Sequence, residues 1–106
     1  MILATTESIP GREVVAVYGI VKGNTIRARH VGHDIMAGLR TIVGGEIDEY
    51  TKLMAEAREQ AIDRMATDAK RLGADAVVGM RITTSMIASG AAEILAFGTA
   101  VKLKDD

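Results

Sequence analysis

Two histidines three residues apart, His30 and His33, followed directly by Asp34, are the residues of this sequence whose types and spacing most readily suggest chemistry. Two imidazoles and a carboxylate can hold zinc, copper or nickel. A plainer reading makes His30 a loop residue, His33 a residue flanking a helix and Asp34 the cap of that helix. A metal site needs three or four ligands, and this spacing supplies at most three, so a neighbouring copy of the chain would have to complete it. No cysteine occurs in the 106 residues. The remaining soft donors are six methionines, whose ordinary place is as adaptable filler in an apolar core.

A second group is ionic. From Val14 to His33 there is no acidic residue, while Lys22, Arg27, Arg29, His30 and His33 all fall there. Such a run can form a basic rim for a small anion, and copies arranged in a ring would add their fields. Isolated surface charges more commonly serve as a solvated edge paired with acidic helix residues. Arg40, Glu46 and Glu49 flank Gly44-Gly45, and Glu93 opens the last apolar stretch. Paired carboxylates can do acid and base work. They serve more often as caps and salt bridges, and no nucleophile here stands beside a base: Thr83 and Ser85 have no histidine near them in sequence. The candidates are therefore Arg27, Arg29, Arg40, Glu46 and Glu93 for a small ligand and His30, His33 and Asp34 for a divalent metal. No catalytic residue is nominated. Glycine-rich phosphate loops of the G-x-G-x-x-G or G-x-x-x-x-G-K-S/T kind are missing.

The element that must position these groups is a long helix over Ile47 to Leu72. The stretch has no proline or glycine and is filled by residues that lose little on entering a helix. Tyr50, Met54, Ala57, Ala61, Met65, Ala69 and Leu72 recur at steps of three and four, which places one apolar stripe on one face. Lys70 and Arg71 suit the last turn, and Gly73 suits the stop. A shorter helix is expected over residues 35–43, capped by Asp34 and ended by Gly44-Gly45.

Strands are expected on either side. Ile2 to Thr5 suits a short one, ended by a Pro10-Gly11 turn. Glu13–Ile26, Asp75–Met86 and Ala91–Leu103 carry the β-branched content of long strands, the last two joined as a hairpin. In the second long strand Ala76, Val78, Met80 and Ile82 are expected to point inward. The crossover allows the first two long strands to run parallel, with the hairpin partner between them and antiparallel to both. The result is a two-layer α/β (α+β) domain in the order strand, helix, helix, strand, strand, one sheet face covered by the long helix. Strict alternation leaves Val15, Val17, Val21, Leu95, Phe97 and Val101 on the other face with nothing in the chain to cover them. A second copy is expected to do so, making the protein a homo-oligomer.

Composition narrows the partners. Thirteen basic and fourteen acidic residues leave a net charge of −1, which gives no global attraction for nucleic acid or an anionic membrane. No run of about eighteen apolar residues and no basic-then-apolar leader appears, and zero cysteine suits a reducing cytoplasm. Only three aromatics occur, so the core must be thin and aliphatic.

The segments TTESIPGREV, VGHDIMAGLRTIVGGEIDEYTKLMAEAREQAIDRMATDAKRLGADAVVGMRI and AAEILAFGTAV together resemble the YbjQ family, also called UPF0145, over nearly the whole chain. The resemblance implies a small strand, helix, strand, strand layer that assembles into pentameric rings able to stack into decamers. It also implies a heavy-metal-binding label without an assigned biochemical role. The expectation is a cytoplasmic oligomer that binds a metal ion or small anion between subunits, or acts as a scaffold, without catalysis. The alternative is an enzyme of unassigned reaction whose active site forms between subunits. No nucleic acid or membrane partner is expected.

Overall fold

A computed structural model describes residues 1–27, 45–88 and 91–105. Its elements are β1 (Ile2–Leu3), β2 (Val14–Arg27), α1 (Gly45–Arg71), β3 (Ala76–Ala88) and β4 (Ala91–Leu103). The short helix expected over residues 35–43 lies outside the described residues.

Helix α1 has 27 residues, so it is about 40 Å long. The small side chains of its stripe are what seat it: Ala57, Ala61, Met65 and Ala69 are completely buried, with Met54 and Ile62 packed beside them. Leu72 does not join them. It follows the last helical residue and is 45% exposed. The helix ends in paired reverse hydrogen bonds, Ala74 N–H to the Ala69 carbonyl at 3.1 Å and Gly73 N–H to the Lys70 carbonyl at 3.0 Å. These satisfy carbonyls that the helix itself cannot.

The sheet order is β1-β3-β4-β2. Strand β4 is central and antiparallel to both β2 and β3, so those two run parallel to each other, as the crossover requires. Strand β1 adds a fourth member, parallel to β3 through Ile2 opposite Ala76 and Leu3 opposite Val77. The chain then turns at Pro10-Gly11, where Arg12 N–H donates to the Ile9 carbonyl at 3.0 Å and Gly11 takes a φ of 79°. A positive φ at the third turn position is what a type II turn demands.

Helix and sheet share one apolar core of Val21, Val77, Ile94, Ala96 and Ala100 with the helix stripe. On the opposite sheet face Ala76, Val78, Val101 and Leu103 form a second cluster, covered by Ile9 and Val14. The N-terminal turn is therefore a lid over the lower end of the outer face.

Register shifts correct the expected faces. Strand β2 slips against β4 between Val14 and Ala16 and again between Val17 and Gly19. Each extra residue turns the following side chains over. Val21, expected outside, is in the core at 0% exposure, and Ile20 is instead outside at 80%. Val101, expected bare, is buried beneath Ile9 and Val14. Strand β3 slips between Val78 and Arg81, so Ala76 and Val78 lie under the lid while Met80 packs toward the helix. The outer face keeps Val17 exposed as expected, with Leu95 and Phe97 half-buried, while Val15 sits exposed within the first slip.

Gly23 is where the layers meet. A β-carbon there would lie 2.3 Å from the Met65 backbone nitrogen and 2.4 Å from the Ala61 carbonyl oxygen. Those are helix backbone atoms and cannot swing aside. Gly23→Ala is expected to destabilise the fold by about 1–3 kcal/mol through overpacking, measured as a lower urea midpoint.

At the start of β3 the Asp75 carboxylate accepts the Leu103 N–H at 2.9 Å and lies 3.6 Å from Lys102 Nζ. The Leu103 amide, aided by Lys102 and by the more distant Arg12, outweighs partial burial and holds this carboxyl below its ordinary value. A depressed folded value stabilises above the ordinary carboxylate range, and the effect is lost as pH falls through the folded value. Asp75→Asn should therefore lower the melting temperature at pH 7. The gap to the unaltered protein should close progressively below about pH 4, as melts across that range would record.

Candidate functional site

The polar groups concentrate along the free edge of β2, where α1 crosses it. In an edge strand every second residue points its N–H and C=O away from the sheet. Here the helix supplies partners: Lys22 N–H donates to Asp68 Oδ2 at 3.4 Å, and Arg64 Nη1 donates to the Asn24 carbonyl at 2.6 Å. Asp68 also pairs with Arg71 one turn on. Deeper in, buried Thr25 donates its hydroxyl to the Ala57 carbonyl at 3.2 Å. Lys22, Gly23, Asn24, Arg64, Thr67, Asp68 and Arg71 line the shallow, open cleft that results.

Arg64, Asp68 and Arg71 were not among the residues nominated from the sequence. Their spacing of four and three is the available signal, because it sets them on one helix flank beside the buried stripe. Their hydrogen-bonding capacity is turned toward the β2 backbone and toward one another.

The nominated residues separate. Arg27 ends β2 opposite Ala92, while Glu93 sits opposite Ile26. Alternation along the strands therefore puts Arg27 on the helix face and Glu93 on the outer face, with the sheet between them. Arg27 Nη2 donates to Gln60 Oε1 at 3.3 Å, and its Nε is buried with no hydrogen-bond partner among the described residues. Glu93 Oε2 accepts the Asn24 side-chain amide at 3.0 Å and is flanked on β3 by Ser85. Lys22 and Arg27 of the expected basic rim likewise point to opposite faces. Glu46 falls in the first turn of α1. Arg29, His30, His33, Asp34 and Arg40 lie outside the described residues.

For a metal, the described residues do not fit. Among them no group of three or more His, Cys, Asp or Glu side chains is placed to hold an ion. The carboxylates of Asp68, Asp75 and Glu93 are each engaged by backbone or side-chain donors. Among the described residues no helix is long and apolar enough to cross a membrane.

Comparisons with known proteins extend this picture. A family model, YbjQ_1, described as "Putative heavy-metal-binding", matches residues 1–104. A UPF0145 protein of Vibrio campbellii is 62% identical, over 97% of this chain and 99% of its own. Another from Archaeoglobus fulgidus is 59% identical, over 98% of this chain and 96% of its own. The crystal structure of a protein with unknown function, of the DUF74 family from Pediococcus pentosaceus, superposes with a TM-score of 0.65 over 98% of both chains. At 15% identity that likeness is one of fold alone. Matched along nearly its full length by the family model and by these relatives, the chain belongs to the YbjQ family of UPF0145 proteins.

Proposed function

We propose that this protein works as a homo-oligomeric binding or scaffold protein of the cytoplasm, a pentameric ring in its simplest form, with subunits sealed together over the outer face of the sheet. The observation that supports this reading is the apolar residue set on that face. Ile20 is 80% and Val17 is 66% exposed, and Ile26 is exposed on the same strand. Large aliphatic side chains grouped on one face mark a surface built to be covered.

A ligand held by such an assembly would sit at the rim between subunits. Arg27, Arg29, Arg40, Glu46 and Glu93 are the groups for a small anion or polar ligand, and His30, His33 and Asp34 are those for a divalent metal, completed by a neighbouring copy. Since no group of described His, Cys, Asp or Glu side chains is placed to hold an ion, the metal part of the proposal depends on those three residues.

Native mass spectrometry is expected to give a multiple of the subunit mass, five or ten, at micromolar protein. Ile20→Asp places a charge on the sealed face and should shift the particle to smaller species while leaving the helical circular dichroism unchanged. A stable particle of single-subunit mass would exclude the reading. Zinc, copper or nickel added to chelator-stripped protein should bind in simple stoichiometry to the subunits, and His30→Ala with His33→Ala should abolish it. A weak response without stoichiometry removes the metal from the proposal.

A further inference from the structure

The two edges of the sheet differ. On the β2 edge, Asp68 and Arg64 occupy the backbone groups of Lys22 and Asn24 that an added strand would use. On the β3 edge, β1 pairs only with Ala76 and Val77, and the Thr6 and Ala4 carbonyls take the amides of Gly79 and Met80. Arg81 Nη1 donates to the Thr5 carbonyl at 2.8 Å, and beyond it no strand among the described residues lies along the side of β3 away from β4; residues 81–87 are all exposed, Met86 to 73%. Soluble proteins blunt such edges with proline, lysine or a bulge. This stretch, Arg-Ile-Thr-Thr-Ser-Met-Ile, has neither residue, and its register with β4 is unbroken from Arg81 to Met86. Four of its seven residues are β-branched.

The same stretch is close to a palindrome about Thr84. Set antiparallel to itself, Ile82 of one copy faces Met86 of the other, Thr83 faces Ser85, and Thr84 faces Thr84. On the helix side apolar pairs flank a Thr84 pair, and on the outer side hydroxyl meets hydroxyl, the kinds of cross-strand pair that stabilise sheets; only the end pairs, Arg81 facing Ile87, depart from the match. The backbone agrees with this centre. The amide of Met80 points away from β4, so alternation sends the amides of Ile82, Thr84 and Met86 to the same open edge. Those are the positions paired in this register. A slip of two residues, the smallest that keeps these groups facing, sets Ile82 or Met86 against Thr84 and loses the match.

We infer that the β3 edge from Arg81 to Ile87 pairs antiparallel with the same edge of a second copy, about a two-fold axis at Thr84, joining two four-stranded sheets into one of eight. The inference rests on the self-association proposed above, but it uses a surface separate from the outer face that Ile20 occupies. A two-fold contact is isologous, so the particle it builds holds an even number of chains.

Position 84 gives the test, because this sequence has no cysteine to interfere. Directly opposed residues of a hydrogen-bonded pair lie about 5.5 Å apart at Cα, within reach of a disulfide. Thr84→Cys should form a disulfide-linked dimer under mild oxidation, and Ser85→Cys, set opposite Thr83, should do so far less. Thr84→Lys puts like charges face to face and should halve the native mass, with circular dichroism unchanged. If the unaltered protein holds five chains, or is oligomeric while Thr84→Cys stays uncrosslinked or Thr84→Lys keeps its mass, the edge pairing is wrong and the face-sealed assembly stands. If the unaltered protein has single-subunit mass, both fall.

Discussion

The close approach of helix backbone to strand backbone at Gly23 sets the terms for the rest. With no side chain at that point, Ala61 and Met65 sit directly on β2. The neighbouring contacts must be as short, which is why the helix stripe is mostly alanine and why the core is built from Val, Ile and Met with few aromatic rings. Buried Thr25 can reach the Ala57 carbonyl only because the layers are this near. A core so shallow gains little area per residue, and a domain of this size has little area to spare.

The same contact decides which edge is protected. Because α1 is pressed against β2, its flanking Arg64 and Asp68 reach that strand's outward backbone groups. Strand β3 lies farther from the helix, and its distal half, paired with β4 on one side, has no helix or strand along its other edge among the described residues. One layer thus has a guarded edge, an open edge, and an outer face that is closed at its lower end by the N-terminal turn and bare above it.

Sequence periodicity carried the architecture and lost the side chains' sides. The alanine and methionine spacing marked the buried helix face from Met54 to Ala69, and the hairpin with its crossover set the strand order. Alternation failed where the strands slip, at Val17/Gly19 and Val78/Arg81, since no run of apolar residues reports a bulge within it. The clue was glycine: Gly19 at φ 117° and Gly79 at φ 63° fall at these slips, in conformations other residues avoid. Leu72 continued the stripe's spacing but lay past the helix end, where periodicity has no meaning. For the site, Arg27 and Glu93 were both nominated for a small ligand, and they do lie at the same end of the sheet. Only the pleat shows that they face apart.

The slips in β2 also make the chain unusually sensitive to its own length. The one between Val17 and Gly19 is what puts Val21 in the interior and Ile20 in water while Val17 stays on the outer face. Loss of a single codon between Val17 and Gly19 would restore simple alternation below the helix and reverse every residue beyond it. Isoleucine would be driven against the alanine seam and valine set outside, with Gly23 no longer under Ala61. Replacement of any one of these residues disturbs one neighbour, whereas an in-frame deletion there would invert the strand. Length variation in this family should therefore be tolerated in connecting segments and purged from this one.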